Sequence, residues 1–348
     1  MRILLVGGGV QPIPPTGYGG TERFVADLQG ALQAAGHEAR VVNQVRHRRQ
    51  RDEYPFAWQL PRLLRNERYD VIHANSPVVA NRLAFGGFPF AYTTHSRHWY
   101  YRERLTHRWG YWLERRAVRR ATAAVALTEP LARTMHAAVP VTRRPISVIP
   151  FGVDAERFRP AWDRRSGGVA LGVGTVAPFK RWELAAEALR GTGLRFTLVG
   201  PTPDRAYADR VRSAGDRVEL VGEVPEAELE RRFAESDLLV HPSGVELLAG
   251  VVVQAMSAGL PIVGGPALDG VVDDGRVGYR VPDGDPTAFV AGMRRRAVEL
   301  AADPALRRRM GEAGRAMAQE RFAWPRIVQS YLGVYQAVID SAGPSART

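Results

Sequence analysis

The sequence predicts an α/β fold of two doubly wound domains in tandem, each a parallel sheet with helices on both faces. Three observations carry this expectation. Short apolar runs alternate with helical patterns from Ile3 onward, the rhythm restarts at Val169, and the stretch from Pro150-Phe151-Gly152-Val153-Asp154 to Pro160 has the Pro and Gly of a connector. The length agrees, because 348 residues exceed what one hydrophobic core usually organises. Domains are expected over 1–155 and 161–322. Two such sheets facing across a cleft would bind ligands at the carboxyl ends of their strands.

The elements follow in order. Ile3-Leu4-Leu5-Val6 is a short continuous apolar run, the mark of a strand buried on both faces. Gly17-Tyr18-Gly19-Gly20 leads into a helix through Phe24, Val25, Leu28, Leu32 and Ala35, closed by Gly36. Further strands are expected at Ala39–Val42, Asp70–His73, Phe90–Thr94, Ala123–Leu127 and Ile146–Ile149. The second set is Val169–Gly174, Arg195–Val199, Val218–Val221, Leu238–His241 and Pro261–Val263. From Asp303 to Ile339 the pattern is helical, broken by Pro325.

Composition excludes several classes. At 45% hydrophobic and 24% charged residues the chain is neither disordered nor membrane-spanning, and no run approaches the ~20 apolar residues of a membrane helix. The absence of cysteine removes disulfides, thiolate metal sites and a cysteine nucleophile. Met1-Arg2-Ile3-Leu4-Leu5-Val6 meets glycine too soon for a signal-peptide core, so a cytoplasmic protein is expected. The net charge of +12 is unevenly spread: residues 1–160 hold 24 Arg and 12 acids, whereas the remainder is neutral overall. A basic half suits an anionic partner such as a membrane surface, a lipid phosphate or nucleic acid, and equally an Arg-rich exposed surface. Of 48 basic residues only Lys180 is Lys. A position that stays Lys in such a chain favours a compact ammonium in close approach to an anion, commonly phosphate.

Gly19-Gly20 before a helix is an anion site in principle and a tight turn as readily. Gly7-Gly8-Gly9 is followed by no glycine at the spacing a dinucleotide fingerprint requires, so a nicotinamide enzyme is not expected. From His241-Pro242-Ser243-Gly244-Val245-Glu246 through Gln254-Ala255-Met256 to Gly259-Leu260-Pro261, a strand ends at a loop carrying a carboxylate, and a helix follows. Glu246 at the sheet edge would accept hydrogen bonds from sugar hydroxyls, with Gln254 reaching the same ligand; a helix-capping Glu and a solvated Gln fit the same letters. Between Arg97 and Arg120, aromatics alternate with cations. That stretch suits a membrane interface, a soluble aromatic or anionic acceptor, single-stranded nucleic acid, or simply a helix with aromatics inward and Arg outward.

Taken in order, these pieces resemble the family 4 retaining glycosyltransferases. The match runs from Gly19-Gly20-Thr21-Glu22 through Lys180, Gly222, Pro242-Ser243, Glu246 and Ala255-Met256 to Val272-Asp273-Asp274-Gly275. The resemblance implies the GT-B fold, two Rossmann-like doubly wound domains facing across a cleft, with the helix over 323–348 returning to the first. It implies a nucleotide-sugar donor as substrate, no metal or other cofactor, and an acceptor left open between lipid-linked and small soluble molecules. By position, Gly19 and Gly20 would approach the donor diphosphate and Lys180 would neutralise it as it leaves. Glu246 would hold sugar hydroxyls, aided by amides near Leu247 and Leu248. His95 would stand near the reacting sugar, or else pack as a strand-end histidine.

The chain departs from the family at three places. Gln254 replaces a second acid, Thr175 replaces an Arg for which Arg181 would compensate, and Gly270 replaces an acid. These departures make a catalytically silent sugar-nucleotide-binding partner the alternative reading. Lys180→Ala is expected to cut turnover by orders of magnitude and leave the fold intact.

Overall fold

The computed structural model describes residues 1–16, 19–45, 53–65, 67–101, 103–142, 145–247 and 250–342, and divides into two units, Met1–Gly152 with Trp324–Thr348 and Val153–Ala323.

In the first unit, β1 (Arg2–Val6) lies between β2 (Glu38–Val42) and β3 (Val71–Ala74), and β4 (Ala91–Thr93), β5 (Ala123–Ala126) and β6 (Ser147–Val148) extend the sheet. All pairings are parallel, in the order β2-β1-β3-β4-β5-β6. Helices cover both faces, which is why Ile3, Leu4, Leu5 and Val6 are all buried without alternation. They are α1 (Gly20–Ala34), α2 (Glu53–Leu64), α3 (Pro77–Phe85), α4 (Leu105–Arg120) and α5 (Glu129–Ala138). The predicted stripe of α1 is its buried face: Phe24, Val25, Leu28 and Leu32. Ser76 caps α3 by accepting from Val78 N and Val79 N, with Pro77 in the first turn, and Thr128 caps α5 in the same manner.

The second unit repeats the plan. Its strands are β7 (Val169–Val173), β8 (Arg195–Val199), β9 (Val218–Gly222), β10 (Leu238–His241), β11 (Ile262–Gly264) and β12 (Gly278–Arg280). They run parallel in the order β12-β11-β10-β7-β8-β9. Its helices are α6 (Trp182–Leu189), α7 (Arg205–Ala214), α8 (Glu226–Glu235), α9 (Gly250–Ser257), α10 (Pro286–Ala302) and α11 (Pro304–Arg321). The strand β12 was not expected. It is three residues long, begins with Gly278 and buries Tyr279 and Arg280 only in part, so it carries no apolar signal. Buried Asp237 accepts from Gly167 N at 2.6 Å and Val169 N at 2.8 Å, fixing where β7 starts beside β10.

The last helix, α12 (Trp324–Ala342), belongs to the first unit. It seats Ile327, Val328, Tyr331 and Tyr335 against the core that holds Leu28 and Val71. Two tyrosines join it to the sheet through a buried polar chain. Tyr335 OH lies 2.9 Å from His73 Nδ1, His73 Nε2 lies 2.8 Å from Thr93 Oγ1, and that hydroxyl lies 3.3 Å from Tyr331 OH. Burial pushes the His73 pKa down to about 3, with His95 adding to the shift, so the ring is neutral and its two nitrogens take one donor and one acceptor role. A Cβ at Gly152 would sit 2.3 Å from the Trp324 ring, so only glycine lets the chain pass there. Among the described residues no helix is long and apolar enough to cross a membrane.

Candidate functional site

In the second unit the strand order reverses at β7 and β10, which lie side by side while their following connections leave in opposite directions. Such a switch point opens a crevice beyond the carboxyl ends of the two strands. Both stronger predicted residues arrive there. After β7, Gly174 takes φ +145° and donates to Val199 O at 2.8 Å, which turns the chain sharply. A single 3-10 turn over Pro178–Lys180 follows. After β10, the loop through Pro242 and Ser243 carries Glu246. Lys180 Nζ donates to Glu246 Oε1, and the lysine is only 4% exposed. Burial alone would raise the Glu246 pKa. The Lys180 charge outweighs it and holds the carboxyl down at about 2.

His241, the last residue of β10, is fully buried with Nε2 3.6 Å from Glu246 Oε1, beyond hydrogen-bond reach. Burial lowers its pKa; Glu246 pulls it up and Lys180 pushes it down, and the imidazole stays neutral. Among the described residues neither ring nitrogen has a hydrogen-bond partner, nor does the buried Ser243 Oγ. The letters show both residues at the end of an apolar strand and assign neither a role. The available signal was a strand ending on two hydrogen-bonding side chains at a switch point.

Arg181 is the only non-glycine residue with positive φ among those described, at 58°. Its Nε donates to Pro242 O at 3.0 Å, its Nη1 donates to Asp283 Oδ1 at 2.8 Å, and its guanidinium lies 4.5 Å over Phe289. These contacts hold a backbone conformation that costs roughly 1–3 kcal/mol. Arg181 Nη2 stays buried and without a hydrogen-bond partner among the described residues. Asp283 is thus the partner of an arginine, and Asp285 caps α10 by accepting from Ala288 N at 2.8 Å.

The other predicted residues are placed as follows. The carbonyl of Thr175 accepts from Trp182 Nε1 at 2.9 Å. Leu247 is half-buried beside Glu246 in sequence, and Leu248 lies outside the described residues. Gln254 is half-buried on α9, and among the described residues no hydrogen bond joins it to Glu246 or Lys180. Gly270 takes φ +75°, a turn conformation that an acidic side chain would strain.

The first unit reverses its strand order at β1 and β3. Gly19 is the N-cap of α1, where a Cβ would lie 3.0 Å from Glu22 Oε2 and 3.1 Å from Pro15, while a Cβ on Gly20 would meet nothing within 4 Å among the described residues; Gly17 and Tyr18 lie outside them. Gly7 and Gly9 serve packing, since a Cβ on either would come within 2.6 Å of Asn43 or 2.8 Å of Phe56. His95 follows β4. Its Nε2 lies 3.1 Å from Asn75 Oδ1, its ring packs on Phe24 and Phe151, and Nδ1 is buried with no hydrogen-bond partner among the described residues. Burial lowers its pKa to about 3, so the imidazole is neutral and Asn75 accepts its Nε2 proton.

Below His95, Glu114 accepts from Tyr92 OH at 2.8 Å and Thr94 Oγ1 at 2.9 Å in full burial. Burial pushes its pKa up to about 7 despite those bonds, and Glu53, accepting from Ser76 Oγ, is raised to about 7 for the same reason. A carboxyl with a raised folded pKa contributes stability that is complete below its unfolded value and is lost as pH rises through about 7. Denaturant unfolding should therefore show the first unit weaker at pH 8 than at pH 5 by on the order of 5 kcal/mol from the two carboxyls together, and Glu114→Gln should remove about half of that difference. An unchanged pH dependence in the variant would remove Glu114 as its source.

Two families match the sequence of the chain. The one described as Glycosyltransferase Family 4 matches residues 18–157, and the one described as Glycosyl transferases group 1 matches residues 171–297. The chain belongs to the family 4-like glycosyltransferases of GT-B fold. Among curated proteins, the 2-deoxystreptamine glucosyltransferase of Streptomyces kanamyceticus is 34% identical over 53% of this chain and 54% of its own length. The chain spans about half the length of the curated relatives it matches. Among solved structures, the sucrose-phosphate synthase of Thermosynechococcus elongatus superposes with a TM-score of 0.80 at 22% identity, covering 98% of this chain and 99% of that one. The Anabaena protein HepE, in complex with UDP and glucose, gives 0.75 at 18% identity over 97% and 100%. At these identities the superpositions establish the fold.

Proposed function

We propose that the chain is a retaining glycosyltransferase that moves a sugar from a nucleotide-sugar donor to an acceptor hydroxyl. The observation that carries this reading is the buried Lys180–Glu246 pair at the β7/β10 switch point, built from the one lysine of a chain otherwise supplied with arginine. A buried ammonium beside a carboxylate suits a ligand with both a diphosphate and hydroxyls. Nζ faces the phosphates and stabilises the charge that develops as they leave, and Glu246 accepts from sugar hydroxyls. His241 Nε2 and Ser243 Oγ, free of internal hydrogen bonds among the described residues, add polar contacts at the same edge. In this reading the acceptor oxygen bonds to the anomeric carbon on the face from which the diphosphate departs, and the acceptor proton passes to the departing phosphate oxygen. No protein nucleophile is used. The protein contributes orientation and charge, and the same charge from Lys180 replaces a bridging metal.

The HepE complex with UDP and glucose supports a uridine diphosphate donor as the first to test. Thermal unfolding measured with UDP, GDP, ADP and dTDP should show stabilisation by one of them. At 100 times the dissociation constant the gain is about 2.7 kcal/mol. The shift should vanish in Lys180→Ala when each protein is compared with its own ligand-free midpoint. Transfer should persist in EDTA, and NMR of the product should show the donor's anomeric configuration. No stabilisation by any nucleotide, or an inverted product, would overturn the reading.

A further inference from the structure

The first unit carries an exposed aromatic face that its own core does not use. On α4, Leu105, Trp109 and Trp112 stand at i, i+4 and i+7 and are 79%, 60% and 46% exposed. Trp109 and Trp112 stack on each other at 5.0 Å, and Trp109 Nε1 donates to Tyr54 OH at 3.2 Å, which carries the face onto α2. One turn along α2, Trp58 is 71% exposed. The Arg82 guanidinium lies 5.5 Å over Trp58 and 5.6 Å over Phe85, which is 77% exposed at the end of α3. Three helices thus present one continuous apolar and aromatic surface. The expectation of aromatics turned inward holds for Trp99, which is buried, and fails for these tryptophans.

Charge decides what such a surface meets. Arg108, Arg115, Arg116, Arg119 and Arg120 are all exposed on α4, whereas the helix's one acid, Glu114, is buried. Arg116 lies 5.6 Å over the Trp112 ring, so cations stand beside the aromatic face itself. The whole excess of +12 falls on residues 1–160. A soluble protein partner would need carboxylates set opposite each of these arginines as well as an apolar pocket for the aromatics. A bilayer with anionic headgroups accepts both, tryptophan at the headgroup level and arginine against the surface potential.

We propose that the face formed by α2, α3 and α4 docks the first unit on an anionic membrane surface, with Trp58, Phe85, Trp109 and Trp112 entering the headgroup region and the α4 arginines pairing with lipid phosphates. The docking does not depend on the transfer chemistry. It lies on the membrane without spanning it.

The test is sedimentation of the protein with vesicles of phosphatidylcholine alone and of phosphatidylcholine mixed with phosphatidylglycerol, while tryptophan emission is followed. The expected result is pelleting with the mixed vesicles only, with a blue shift of emission, and release as salt rises and the Debye length falls toward about 3 Å. Trp58→Ser/Trp109→Ser/Trp112→Ser should lower the partition by about tenfold or more. Arg116→Gln should lower it about fivefold. These side chains are exposed, so circular dichroism should be unchanged in both variants. Failure to pellet with either vesicle overturns the proposal, as does pelleting that the tryptophan variant leaves intact. A tryptophan-dependent dimer in the ultracentrifuge without vesicle binding would assign the face to a second copy instead. Salt-sensitive binding of a single-stranded oligonucleotide without vesicle binding would assign it to nucleic acid.

Discussion

Lys180→Ala should lower sugar transfer by about 10²–10³-fold, the effect of removing one preorganised charge from a leaving group. It should also destabilise the second unit, which the sequence did not suggest. The lysine is 4% exposed and its partner Glu246 is itself nearly buried. Removing one member of such a pair leaves an uncompensated carboxylate and costs about 3–5 kcal/mol. The Glu246 pKa, held at about 2 by the ammonium, would then rise as burial acts unopposed. Lys180→Met/Glu246→Gln leaves no unpaired charge and should recover most of the stability without recovering transfer. Denaturant midpoints and initial rates on the three proteins separate the two effects. Near-normal rates in either variant would remove Lys180 from the chemistry.

Gly200→Ala should cost the second unit at least about 3 kcal/mol and abolish nucleotide binding at ordinary temperature. Gly200 takes φ +146°, and a Cβ there would lie 2.2 Å from Gly174 O. The contact is backbone, so no side chain can swing aside. Gly174 begins the turn that delivers Lys180, and Val176 N donates to Pro201 O at 2.8 Å across the same gap. Separating the two segments therefore moves the ammonium as well as straining the chain. Gly30→Ala is the control. That glycine is exposed in the middle of α1 with nothing within 4 Å of its missing Cβ, and the change should stabilise by up to about 1 kcal/mol. Equal midpoints for Gly200→Ala and wild type would refute the close approach.

Much of the candidate site was legible because it rests on local signals. Lys180 stood out by count, and Glu246 by its place in a loop after an apolar strand. The arrangement of Arg181 was less accessible. Adjacent to Lys180 in the chain, it was expected to stand in for the absent arginine at the phosphates, and nothing in those letters announces the left-handed backbone at this residue or its bonds to Pro242 and Asp283. No local pattern announces a partner 102 positions away. Gln254 shows the converse: its place on α9 follows from the pattern, and what its side chain bonds does not.

The sequence by itself determined the alternation of strands and helices, the restart at Val169 and the residue types at the strand ends, because burial on two faces and helix periodicity are written in neighbouring letters. Tertiary structure decided which strands became neighbours, that Lys180 and Glu246 are buried against each other, and that Trp109 and Trp112 face outward while Trp99 faces in. The reason is physical. Helical spacing sets which side chains share a face, but whether that face is covered depends on which other elements pack there, and those lie far along the chain.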